Sequence, residues 1–363
     1  MNAACPQLLQ ALKRPASAAS LSLAEWDLLV RQARRAGLLA RLWVLLDERG
    51  LLNTVPPQAA KHLQAARNIS MGQHRFLRWA VELVRKSLAD TGVPIILLKG
   101  IAYVMAKLPA ARGRLFHDVD IMVPKEKLDI TEQTLFRHGW LATELDEYDQ
   151  RYYRQWAHEL PPLRHLRRQA VLDVHHTIVP QTARYRPDAK KLLGAAQDLN
   201  GHKMLKILAP TDMVLHSATH LLNEGEFENG LRDLVDLDDL LRYFGEHPTF
   251  WLELLERAEE LDLARPLYYA LRYTHRILGT PVPEEIQQKA GLGRPWGLAS
   301  PLMDAAFTRA LAPDHPSCDT ALTRPARFFL YVRSHYLRMP LHLLFPHLIR
   351  KAIKRRFDSA GQH

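Results

Sequence analysis

Residues 115–123 read LFHDVDIMV, two carboxylates one residue apart inside an apolar run with the composition of a buried strand. Side chains alternate between faces along a strand, so Asp118 and Asp120 point together while Val119, Ile121 and Val123 point into the opposite layer. Two carboxylates on one face repel, and burying them is expensive. A cation must sit between them, or one must take up a proton. Magnesium meets the first condition, since it is a hard ion bound by one or two carboxylates together with substrate phosphates.

Outward from this stretch the pattern is α/β. Upstream, VPIILLKG (93–100) is a short continuous apolar run closed by Gly100, as expected of a strand covered on both faces, and IAYVMAKLP then has helical composition up to Pro109. Downstream, EKLDITEQTLFRHGW reads as a helix stopped at Gly139, and AVLDVHHTIV as a further strand. That strand carries Asp173, with His175 on the same face and His176 on the other. Three acids from two strands can hold two metal ions, one activating an attacking hydroxyl and one clamping a leaving phosphate. A D-x-D pair alone is a weak signal. Its context strengthens it: Gly100 lets backbone approach a phosphate where a helix begins, and Lys99 and Arg114 are cations near that turn. The ordinary structural alternatives are a strand-end lysine reaching solvent and a loop arginine paired locally with an acid.

The flanks are helical. SLAEWDLLVRQA opens with capping-box spacing between Ser22 and Glu25, Pro57 suits the first turn of another helix, and HRFLRWAVELVRKSLADTG is a further amphipathic segment ended by Asp90 to Gly92. From about 187 the helical period returns. The expected organisation is an N-terminal helical region (1–88), an α/β core (89–186) and a C-terminal helical domain with a basic tail (187–363).

Composition bounds the partners. The chain has 363 residues and a formal net charge of +10, which predicts an anionic partner without choosing among nucleotide, nucleic acid and membrane surface. Cys5 and Cys318 are far apart and in no metal-like spacing, so neither a disulfide framework nor a zinc site is suggested and a reducing cytosol is the expected compartment. The N-terminal segment places its basic residues after a very short apolar stretch, the reverse of a secretory signal, and no uncharged apolar run approaches the roughly 18–20 residues of a bilayer span. The expected location is cytoplasmic, with any membrane contact peripheral.

Taken in order, ILLKGIAYVMAKLP, RGRLFHDVDIMVP, LFRHGW, LDVHH and PTDMVLHSATHLL…LRDLVDLDDLL resemble the uncharacterised bacterial nucleotidyltransferase family of the DNA polymerase β-like superfamily, over roughly residues 70–250. The resemblance implies an α+β fold with a small mixed sheet, in which Asp118 and Asp120 bind two magnesium ions, with manganese the alternative, and Asp173 supplies the third carboxylate. It assigns Lys99 and Gly100 to the triphosphate, and Arg114 matches the arginine leading to the acids. The family's aromatic after the histidine of the third-acid strand is His176 here, and RGRLFH matches only approximately. The implied reaction transfers a nucleoside monophosphate from a nucleoside triphosphate to an acceptor hydroxyl of a protein, an RNA or a small molecule, releasing pyrophosphate. His175 is then a proton relay or a partner of a metal ligand, or else a buried histidine satisfied by a hydrogen bond. The rival readings are a catalytically weak module that binds nucleotides or partners, and an RNA-directed enzyme of the toxin type.

Four further features remain. Asp212, His216 and His220 fall four residues apart on one helical face, a metal-site spacing that also suits an N-cap aspartate and two histidines at the join between helical and catalytic parts. The aspartates of LRDLVDLDD are expected to form a solvated face opposite Leu231, Leu234, Leu237 and Leu241. Arg151, Arg154, Arg164, Arg167 and Arg168 are interleaved with Tyr152, Tyr153 and Trp156, which fits either weak nucleic-acid contact or a basic loop beside a triphosphate. The tail, with Arg350, Lys351, Lys354, Arg355 and Arg356, fits an anionic membrane contact or a solvated basic end.

Overall fold

The computed structural model describes residues 7–142, 157–199, 201–202, 204–223 and 225–340. Four α-helices precede the sheet among them: α1 (Gln7–Lys13), α2 (Leu23–Arg35), α3 (Leu39–Glu48) and α4 (Pro57–Ser87). Ser22 and Glu25 form the capping box at the start of α2, the Glu25 carboxylate accepting from the Ser22 amide at 2.8 Å. Pro57 opens α4, where its missing N–H costs nothing, and the helix runs unbroken for 31 residues, joining what the sequence presents as two segments.

The core follows as β1 (Ile95–Leu97), α5 (Lys99–Met105), β2 (Asp118–Met122), α6 (Leu128–Arg137), β3 (Trp140–Ala142), β4 (Leu163–His165) and β5 (Val171–His175). Then come α7 (Ala189–Ala195), β6 (Gln197–Asp198) and β7 (Leu205–Ile207). These strands form one mixed seven-stranded sheet in the order β3-β4-β5-β2-β1-β7-β6. β2 lies at its centre, antiparallel to β1 and parallel to β5. Its inner position explains the apolar run around the two aspartates: Val119 and Ile121 are fully buried. The sheet extends beyond residue 186, since β7 pairs in parallel with β1, Ile95 opposite Leu205. A purely helical region after 187 is corrected to that extent.

Seven helices complete the described chain: α8 (Pro210–Asn223), α9 (Gly230–Phe244), α10 (Phe250–Glu260), α11 (Ala264–Tyr273), α12 (Glu284–Lys289), α13 (Ala299–Ala310) and α14 (Thr323–Arg338). α8 packs against α9, α10 and α11, and α5 also touches α8, which brings the C-terminal helices against the acid-bearing core. One continuous cluster of buried apolar side chains runs from Leu8 to Leu330 through the sheet. The architecture is a mixed sheet core flanked by N-terminal and C-terminal helical regions, as the resemblance implies.

Candidate active site

β2 and β5 run parallel with Asp120 directly opposite Asp173, and Asp118 opposite Val171. Residues opposite one another in adjacent strands share a face, so this register brings the three acids together. Asp118, Asp120 and Asp173 each offer an oxygen within 4.8 Å of the others. Asp173 Oδ1 is buried and has no hydrogen-bond partner. An orphaned buried carboxylate oxygen among two further carboxylates is a donor set of hard oxygens, which fits a divalent magnesium or manganese ion.

The electrostatics of the three acids differ. Burial raises the Asp118 carboxyl, and the Asp120 charge adds to it. Burial likewise pushes Asp173 up to about 7, with the negative charges of Asp120 and Glu159 next in importance. For Asp120, burial works in the same direction but is outweighed: the Lys99 ammonium and the His175 hydrogen bond hold it well below the usual carboxylate range. Lys99 Nζ donates to Asp120 Oδ1 at 3.2 Å, and His175 Nε2 lies 3.1 Å from the same oxygen.

The other ring nitrogen of His175 faces Glu159 Oε2 at 3.1 Å. This contact follows from the backbone, because residues 158–160 run antiparallel beside β5: the Leu160 amide donates to the Val174 carbonyl and the His176 amide to the His158 carbonyl. Burial disfavours the imidazolium of His175, but Glu159 and Asp120 outweigh it and raise its pKa. His158, Glu159 and His175 form a second cluster with metal-ligand proximity. Glu159 was not legible as a site residue, since it sits in a segment dominated by arginines. His176 is buried, contacts Gln181, and is lowered to about 4 by burial and Lys125.

At the β1–α5 turn, Lys99 takes a φ of +47°, in the left-handed region that costs a side-chain-bearing residue on the order of 1–2 kcal/mol. Strain of this kind collects at functional sites. Gly100 is tightly enclosed: a Cβ there would lie 2.4 Å from an Arg114 guanidinium nitrogen and 3.0 Å from the Phe116 ring. Its lack of a side chain therefore makes room for Arg114. Arg114 is buried against α9, its Nε donating to Asp236 Oδ2 at 2.6 Å, with Asp233 Oδ1 at 3.7 Å. The acidic face of α9 is thus not solvated as expected. Asp236 and Asp239 are buried, and Asp239 pairs with Arg41 of α3.

Asp212, His216 and His220 do not form one site. Asp212 is buried and held by both oxygens to Arg257 of α10, at 2.7 and 2.9 Å. His216 is buried beside the acid site, where burial and the charges of Lys99, His220 and His175 keep its pKa well below the ordinary value. In the basic segment, Arg164 lies on β4 and Arg168 stacks over Trp79 of α4 at 4.9 Å. Arg151, Tyr152, Tyr153, Arg154 and Trp156, and the tail from Arg350 to Arg356, lie outside the described residues. Among the described residues no helix is long and apolar enough to cross a membrane.

A mixed sheet presenting three acids from adjacent strands beside a lysine-glycine turn defines a nucleotidyltransferase class of core, consistent with the DNA polymerase β-like superfamily. A family model described as an uncharacterised nucleotidyltransferase matches residues 22–279, and the chain belongs to that family. The matched segment takes in the whole sheet and all three acids. Comparison with curated proteins and with solved structures gives no match.

Proposed function

We propose that the protein transfers a nucleoside monophosphate from a nucleoside triphosphate to an acceptor hydroxyl in a divalent-metal-dependent reaction. The observation that carries the reading is the register of Asp120 against Asp173, which gathers three acids and leaves Asp173 Oδ1 without a donor. The acceptor oxygen forms a bond to the α-phosphorus, the bond from that phosphorus to the bridging oxygen breaks, and pyrophosphate departs. Asp118, Asp120 and Asp173 would hold magnesium or manganese, which when bound neutralises phosphate charge and acidifies the acceptor hydroxyl.

The chain's own residues do the rest. Asp173 orients the acceptor hydroxyl and helps to take its proton. His175, between Asp120 and Glu159, fixes the direction in which Asp120 presents its oxygens. Lys99 is within reach of both Asp120 and a phosphate bound beside it. Arg114, whose charge is answered by Asp236 and Asp233, supports the Gly100 turn and is assigned no direct phosphate contact. We place the reaction in a reducing cytosol, on the strength of two cysteines without a pairing pattern.

The test supplies each nucleoside triphosphate, labelled at the α or the γ phosphate, with magnesium in a lysate of the host. The expected result is transfer of α label only, reduced at least about a hundredfold by Asp118→Asn. Nucleotide binding with no transfer to any acceptor would instead identify a binding module that keeps the fold without turnover.

A further inference from the structure

We propose that the cleft between α4 and residues 104–113 is a second anion site, separate from the three acids, and that it takes a phosphorylated small molecule of nucleotide size. The cavity holds about 320 Å³, within the roughly 300–1,000 Å³ of pockets for small ligands. Arg67, Arg78, Lys107 and Arg112 line it together with His74, and among the described residues no carboxylate does. The lining comes from Val44 and from the stretches 67–78 and 104–113, whose chain neighbours are all described. Asp118, Asp120 and Asp173 are not part of it. Lys99 begins α5 beside Asp120 and Lys107 follows the other end of that seven-residue helix, which is roughly 10 Å long.

The fold leaves most of this charge unanswered. Arg112 pairs with Glu48 at 2.8 Å, and among the described residues that is the one acid any of the four cations reaches. Arg67 stacks over Trp43 of α3 at 4.3 Å, which fixes the guanidinium without neutralising it. Arg78, Lys107 and Arg112 are exposed, so the cleft is open to solvent. Lys107 takes a φ of +57° at the position after a helix that glycine ordinarily fills, so the chain carries a backbone cost there and gains an ammonium at the rim. Several cations around one cavity match the multiple charge of a phosphate or diphosphate, whose oxygens a guanidinium fork grips in pairs. Val44, Met71, Val104 and Leu108 give an apolar wall for the rest of the ligand. A closed-backed cavity of this size holds one such molecule rather than a strand. The cleft also backs on the segment that delivers the acids: Ser70 Oγ and His74 Nε2 both donate to the Arg114 carbonyl, at 3.1 and 2.9 Å. A ligand that bridges α4 and residues 104–113 therefore stiffens the approach to Asp118.

Calorimetry on the full chain tests this, with ADP as the probe and adenosine as the uncharged control. EDTA is present throughout, which withholds the metal that a phosphate needs beside three carboxylates. ADP is expected to bind and adenosine not to. Arg67→Gln and Lys107→Gly should each weaken ADP about tenfold, the worth of one charge-assisted hydrogen bond. Lys107→Gly also relaxes the left-handed backbone, so it should melt no lower than wild type, and its weaker binding is then not a loss of fold. Asp118→Asn should bind ADP as wild type does. A histidine NMR titration gives a second readout: burial and the charges of Arg78 and Arg114 lower the His74 pKa, and ADP should raise it in wild type but less in Lys107→Gly. No ADP binding, an affinity that neither cleft variant weakens, or an unmoved His74 would overturn the proposal. So would a single-stranded oligonucleotide that binds about a hundredfold tighter than ADP and loses that affinity in the same variants, since the cleft would then be part of a nucleic-acid surface.

Discussion

Asp120 and Asp173 face each other across two parallel strands, yet one carboxyl is held low and the other raised to about 7. The difference lies in their partners: Lys99 and His175 donate to Asp120, while Asp173 Oδ1 has no donor. A divalent ion bound between them removes that imbalance, and the consequences are measurable.

The raised Asp173 carboxyl makes metal binding depend on pH. Folding favours its protonated form, so its contribution to metal-free stability is complete below about pH 4 and is lost as pH rises through about 7. Asp120 acts in the opposite sense, stabilising above its ordinary pKa and losing that contribution in acid. Below pH 7, protons compete with metal for Asp173 at about tenfold in affinity per unit. Thermal melts with and without magnesium should therefore show a stabilisation that grows from pH 5.5 to pH 8. Asp173→Asn should make the metal-free protein more stable than wild type at pH 8 and remove the magnesium shift.

Arg114 and Asp236 form a buried ion pair linking the β1–α5 turn to α9. Truncating one member leaves the other charged and unpaired, so Arg114→Ala should cost about 3–5 kcal/mol in urea unfolding. Removing both, in Arg114→Met with Asp236→Leu, should cost less than the sum of the single changes. Additive effects would show that the two side chains are not coupled.

Gly100→Ala tests the same junction from the backbone. The clashing Arg114 nitrogen is the end of a long side chain, but Asp236 and Asp233 pin it, so it cannot move aside cheaply. We expect a loss of about 1–3 kcal/mol, typical of overpacking, together with reduced transfer. In the Arg114→Ala background the same substitution should cost less, with only the close contact to the Phe116 ring at 3.0 Å remaining.

Glu159→Gln bears on His175. Glu159 is the strongest influence raising the imidazole against burial, so its neutralisation should lower the His175 pKa, read from a histidine NMR titration. An unchanged midpoint would separate Glu159 from the acid site.

The parts of this site that were legible in the sequence are those encoded by local runs. β1, β2 and β5 are continuous apolar stretches bounded by glycine, proline or histidine, and alternation along them places Asp118, Asp120 and Asp173 on usable faces. β3, β4, β6 and β7 are two or three residues long and, unlike β1, which is equally short, lie in no continuous apolar run such as VPIILL. The aspartates of α9 were misjudged because acids on an amphipathic helix usually face water. Their partners, Arg41 and Arg114, lie more than a hundred positions away along the chain, by the hydrogen bonds Arg41–Asp239 and Arg114–Asp236. The spacing of Asp233, Asp236 and Asp239 at intervals of three was the available hint of one buried stripe. Glu159 reaches His175 only because its segment pairs with β5, which no motif announces.

We propose that the three acids jointly bind the divalent ion on which transfer depends. Manganese titration followed by electron paramagnetic resonance, in the presence of a non-hydrolysable nucleoside triphosphate, tests it on wild type, Asp118→Asn and Asp173→Asn. Wild type is expected to show nucleotide-supported manganese binding and both variants to lose it, with the fold retained by circular dichroism. Equal manganese binding by all three proteins would contradict it.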